Sequence, residues 1–68
     1  MTVRDMFAMR LKELRQQRGL TQAALAKKMH FSVGYMARLE QGRHDPPLST
    51  LGKLAKALKV SVAELVKE

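Results

Sequence analysis

Apolar residues return along this chain at helical spacing, in five separate bursts. Phe7, Leu11 and Leu14 stand at i, i+4 and i+7, the mark of one buried helical face. They predict a helix from Asp5 to Arg18, ended by Gly19. Leu25, Ala26 and Met29 form the stripe of a second, from Gln22 to Met29, with Thr21 placed to cap its start. His30 and Phe31 interrupt the pattern. Ser32 is the next cap, and the third helix spans Val33 to Gln41. Met36 and Leu39, with Tyr35 beside Leu39, give it an inward side. Gly42 stops it, because glycine takes the left-handed conformation past a helix end cheaply. Residues 43–47, RHDPP, read as a loop, since proline bars the residue before it from the helical region. Leu48, Leu51, Leu54, Ala55 and Leu58 line one side of a fourth helix, Leu48 to Leu58. Val62 to Val66 make a short fifth helix, for which Ser61 and Glu64 have the spacing of a capping box. The second and third helices are too short to be stable alone. Such a pair needs a supporting layer and suits the presentation of its second helix to a groove.

Composition narrows the class. Sixty-eight residues make a single domain, 1–68, whose core is small. There is no cysteine, so disulfides and thiolate metal sites are excluded, in keeping with a reducing compartment. No run of 18 apolar residues is present, so no membrane span is expected, and the first residues do not read as a signal peptide. Thirteen Lys and Arg oppose six Asp and Glu, a formal charge of +7. That excess is either a self-repelling, soluble surface or the footprint of a polyanionic partner. A membrane-surface helix would need aromatic residues on an apolar face. The chain has three aromatics, Phe7, Phe31 and Tyr35, two of them in the paired short helices.

The stretch from Thr21 to Gly42 resembles the helix-turn-helix of the phage-repressor (Cro and XRE) family. Thr21, Gln22, Leu25, Ala26, Ser32, Tyr35, Arg38, Glu40 and Gly42 carry the resemblance. It extends through RLKELRQQRGL upstream and PPLSTLGKLAKALKVSVAEL downstream, about residues 6 to 66. It implies an all-α fold, a five-helix bundle of the lambda-repressor-like DNA-binding type, with the helix-turn-helix at helices two and three. The sequence departs from the family at two points. His30 stands in the turn, and Lys59 at the close of helix four, where glycine is usual.

The resemblance also assigns roles. Arg15 and Glu40 match an ion pair that ties helix one to helix three; two solvated charges are the alternative. Ser32, Val33, Gly34, Ala37 and Arg38 match the positions that face the DNA bases. Arg38 suits guanine, whose O6 and N7 an arginine chelates, or else a phosphate. Val33 offers only apolar contact, and Gly34 allows close backbone approach. Gln22 matches a backbone-phosphate contact and sits where the free N–H groups of a helix start favour an anion. Tyr35, Arg43 and His44 are further phosphate candidates. Lys27 is divided between phosphate and solvent. Lys53, Lys56 and Lys59 read as a solvated face.

His30, His44 and Asp45 do not have the number or spacing of a metal site, and no catalytic set is evident. No enzyme activity, cofactor or metal is expected. The reading is a transcription regulator, repressor in preference to activator, that binds double-stranded DNA in the major groove through helix three. It is expected in the cytoplasm at the nucleoid, with no small-molecule ligand. One recognition helix reads too few base pairs to find a genomic site, so a weak homodimer on a two-fold site is expected, pairing through Val62, Leu65 and Val66. The rival is a protein-interaction module, an antitoxin or adaptor on the same fold, favoured by the bareness of Val33, Gly34 and Ala37.

Overall fold

The computed structural model describes residues 2–66 and folds them as helices α1 (Val3–Gln17), α2 (Gln22–Met29), α3 (Val33–Glu40), α4 (Leu48–Leu58) and α5 (Val62–Leu65). α1 begins two residues before the apolar spacing predicts. Thr2 is the reason: its Oγ1 accepts from the Asp5 N–H at 3.1 Å, while the Thr2 N–H donates to Asp5 Oδ2 at 3.2 Å. This reciprocal cap satisfies two donors that a helix start otherwise leaves orphaned. The backbone hydrogen bond from Thr2, helped by its hydroxyl, holds the Asp5 carboxyl below its ordinary range. The Thr-x-x-Asp spacing was readable in the sequence. α3 and α5 each stop one residue short of expectation, with Gln41 and Val66 as their caps. The capping box at Ser61 is half formed. Ser61 Oγ accepts from the Glu64 N–H at 3.0 Å, but the Glu64 carboxylate reaches across to Arg10 of α1.

One core runs through all five helices. Leu11, Leu25, Met36, Leu39, Leu54, Leu58 and Leu65 are its fully buried side chains, joined by Phe7, Leu14, Ala26, Met29 and Ala55. Phe31, an interruption in the linear pattern, packs against this core and meets Tyr35 edge to face, ring centroids 4.9 Å apart. Leu48 is a correction. Although it shares the apolar spacing of α4, it is 74% exposed. It occupies the first position of that helix, ahead of the turns that cross the core, so nothing lies beneath it.

α3 is seated between α1 and α2, α4 closes on α2, and α5 packs against α4 and α1. A four-residue helix has no stability of its own. α5 is held by Leu65 in the core and by Arg10, which bonds the Glu64 carboxylate and, at 3.4 Å, its carbonyl oxygen. The two glycine-less helix ends both adopt the left-handed conformation, His30 at φ 59° and Lys59 at φ 60°. At each, the residue beyond bonds back to the helix: Phe31 N–H to the Ala26 carbonyl at 2.8 Å, Val60 N–H to that of Ala55 at 2.9 Å. These paired bonds form the Schellman closure, made here without its usual glycine. No helix among the described residues is long and apolar enough to cross a membrane.

Candidate nucleic-acid interface

One buried carboxylate ties α3 to its neighbours. Arg15 grips Glu40 in a forked pair, Nε to Oε2 at 2.6 Å and Nη2 to Oε1 at 3.0 Å. Its remaining nitrogen, Nη1, donates to the Leu20 carbonyl at 2.7 Å. Gln22 completes the group, its Nε2 donating to Glu40 Oε1 at 3.2 Å. The Arg15 and Glu40 side chains are 10% and 3% exposed, so solvated charges are ruled out. Both carboxylate oxygens and the guanidinium fork are satisfied, as a buried pair requires. α1, the start of α2 and the end of α3 are thereby locked together.

Turning Glu40 inward leaves the opposite side of α3 without an acid. Successive helical residues rotate by about 100°, which puts Met36 and Leu39 on the core side. Val33, Gly34 and Arg38 are exposed, and Ala37 is half-buried. Ser32 caps the helix, its Oγ accepting from the Tyr35 N–H at 3.0 Å. Its hydroxyl therefore stands at the edge of this face but is already engaged as an acceptor. Arg38 does not extend freely into solvent: its Nε donates to His44 Nε2 at 3.0 Å. The His44 ring tilts against Tyr35 with centroids 5.8 Å apart, and Tyr35 is half-buried on the core. Arg43 is exposed, with Nη1 at 3.5 Å from Gln41 Oε1. Its N–H bonds the Arg38 carbonyl at 3.0 Å, which draws the loop against the helix end.

The structure thus brings Val33, Gly34, Ala37, Arg38, Tyr35, Arg43 and His44 together. Gln22 lies at the start of α2 and gives one of its two amide N–H groups to Glu40. Lys27 is exposed on the outer side of α2 and makes no hydrogen bond or ion pair with the α3 group among the described residues. Val62, Leu65 and Val66 lie elsewhere, on the element that packs against α1 and α4. Leu65 is 0% exposed and belongs to the core, so it is not free surface; Val62 and Val66 are half-buried against it.

Linear reading missed the other arginines. Arg4 pairs with Asp45 at 3.8 Å, Arg10 with Glu13 and Glu64, and Arg18 Nε donates to the Leu58 carbonyl at 2.6 Å. All four arginines of the N-terminal third therefore hold protein partners. The remaining two, Arg38 and Arg43, have no carboxylate partner among the described residues, and both border the exposed face of α3. Partners so distant in sequence leave no local signal.

Comparison with known proteins agrees with this architecture. A family profile described as a helix-turn-helix domain matches residues 6–67. The chain is 44% identical over 59 residues to the immunity repressor protein of Bacillus phage phi105, a match covering 87% of this chain and 41% of that one. It is 41% identical over 66 residues to the HTH-type transcriptional regulator y4dJ of Sinorhizobium fredii, covering 97% of this chain and 86% of that protein. Among solved structures, the clp gene regulator ClgR from C. glutamicum superposes with a TM-score of 0.92 at 30% identity, over 97% of this chain and 85% of that one. The hydroxypropylphosphonic acid epoxidase from S. wedmorenis superposes at 0.87 with 32% identity, over 91% of this chain but 33% of that enzyme. This chain belongs to the helix-turn-helix domain family and is of the phage-repressor-like kind. It spans less than half the length of the phage repressor it matches.

Proposed function

We propose that this chain binds double-stranded DNA sequence-specifically and regulates transcription, as a repressor in preference to an activator, with α3 entering the major groove. The observation that carries the reading is the exposed side of α3. It is free of acids, lined by small residues that permit close approach, and bordered by Arg38 and Arg43. Relatives named as a phage immunity repressor and transcriptional regulators support it. In this reading Arg38 reads a base, Val33 and Ala37 offer apolar contact, Gly34 lets the backbone close in, and Ser32 stands at the groove edge. Gln22, Lys27, Tyr35, Arg43 and His44 are the phosphate-side candidates, and no catalytic role is proposed.

Two copies on a two-fold site complete the proposal. The edges of Val62 and Val66 on α5 are the pairing surface, with Leu65 supporting them from the core. The bareness of Val33, Gly34 and Ala37 also suits a protein-interaction module. Selection from a random duplex pool, followed by gel shift at moderate salt, separates the readings. A palindromic selected site supports DNA reading by a dimer; no enrichment overturns it. Arg38→Ala should lose about 1–3 kcal/mol on the selected site and relax preference at one or two base pairs.

A further inference from the structure

The geometry points to His44 as the positioning residue of Arg38, in place of a phosphate contact. This inference rests on the reading of DNA by α3. An arginine side chain is long and rotamer-rich, and fixing it on binding opposes association. Here one hydrogen bond orients it beforehand, and a residue without a side chain leaves it room. Its Nε–H is taken by His44 Nε2 at 3.0 Å. Its Nη1 lies over Gly34, where a Cβ, were there one, would stand 3.4 Å away. Gly34, having no Cβ, leaves room for the guanidinium beside the first turn of α3. With Nε engaged, the two terminal nitrogens keep the paired donors that match guanine O6 and N7.

His44 is itself held. Its ring rests against Tyr35, which packs edge to face on Phe31 and so on the core. The Arg43 N–H bond to the Arg38 carbonyl at 3.0 Å fixes the loop one residue before it. A chain of supports runs from the core through Tyr35 and His44 to the base-reading group.

The bond constrains chemistry as well as geometry. An arginine nitrogen only donates, so His44 Nε2 must accept, which requires neutral imidazole with its proton on Nδ1. A protonated ring has no acceptor and would repel Arg38. The charged and titratable groups around the ring are Arg38 and Tyr35 on α3, then Arg43 and Asp45 beside it in the loop. Asp45 is in turn paired with Arg4 of α1 at 3.8 Å.

The test compares the duplex selected by the wild-type protein with a set carrying single base-pair changes. The readout is the affinity ratio at each position. His44→Ala, and His44→Phe, which keeps a ring over Tyr35 without an acceptor, should each lower the ratio about fivefold or more at the pair read by Arg38. A bidentate arginine contact carries roughly 5- to 150-fold. His44→Gln, whose amide oxygen reaches as far as Nε2, should restore most of it. Loss of affinity by the same factor on every duplex, or an unchanged ratio in both Ala and Phe variants, overturns the assignment. Arg38→Ala is measured alongside. If it leaves every ratio intact, base reading by Arg38 has failed and the support for it with it. If it abolishes discrimination while His44→Ala does not, the role of His44 alone is wrong.

Discussion

Glu40 accepts from both Arg15 nitrogens and from Gln22 while almost fully shielded from water. Removing one partner from such a pair strands a buried charge, at about 3–5 kcal/mol. A domain of this length holds about 3–10 kcal/mol in all. Glu40→Ala should therefore leave the protein at the edge of unfolding, measured by urea titration at 25 °C. The double change Arg15→Met with Glu40→Leu should recover much of that stability, because buried ion pairs are replaced by apolar groups at little cost. It should still bind the selected duplex more weakly, since Gln22 loses its acceptor and α3 the tie that sets its angle. Equal binding by the double variant would show that packing alone orients α3. The partners stand 25 residues apart. No local spacing relates them; resemblance to a family did, and the burial that makes the pair costly to break appears only in the fold.

At the scale of elements, helix boundaries followed local chemistry closely. Thr21, Ser32 and Ser61 each cap the helix they precede. The exception at the start of α1 has a measurable consequence. Asp5, with its carboxyl lowered from an ordinary value of 3.8, contributes stability above that value. The contribution is lost as pH falls through the lowered one. Asp5→Asn should destabilise α1 at neutral pH, and its difference from wild type in thermal melts should disappear under strong acid. His30 and Lys59 make the opposite case. Left-handed backbone costs a non-glycine residue about 1–2 kcal/mol, while glycine raises the entropy of the unfolded chain by about 0.4–1 kcal/mol. His30→Gly and Lys59→Gly should each gain about 0.5–1 kcal/mol, raising the melting temperature by about 2–8 °C. A fall in either variant would show that the side chain itself contributes packing that outweighs the strain.

For the whole molecule, the charge of +7 is divided by the fold. Arg10, Arg15 and Arg18 are tied into the fold and Arg4 makes only an exposed pair with Asp45, whereas Arg38, Arg43 and exposed lysines remain for a polyanion. With three or four cations on phosphates, log K against log salt should slope about −3 to −4 per protomer. A slope near zero would sink the DNA-binding proposal. If two copies pair through α5 as proposed, the recognition helices should stand about 34 Å apart, matching half-sites about 10 bp apart. Val62→Lys and Val66→Lys should fold, lose cooperative protection of the second half-site in footprinting, and sediment as monomers. Unchanged cooperativity in both excludes α5 as the interface. Leu65→Lys cannot serve, because that side chain is fully buried and a charge there unfolds the domain.

The order, number and near-exact limits of the helices were determined by the sequence alone, because apolar spacing, caps and stop residues act within a turn or two of chain. So was the surplus of positive charge, and the identity of the bare third helix. Tertiary structure decided where each side chain spends its capacity. Leu48 and Leu58 share one stripe, yet only the second lies over the core. Leu65 looks like spare surface on a short helix and is instead the bolt that holds it. Six arginines are alike in the linear chain. The fold spends four on carboxylates and carbonyls 3 to 54 residues away and aims Arg38 across Gly34 toward His44. Burial and pairing of this kind depend on which helices meet, and that is settled by the packing of the entire core.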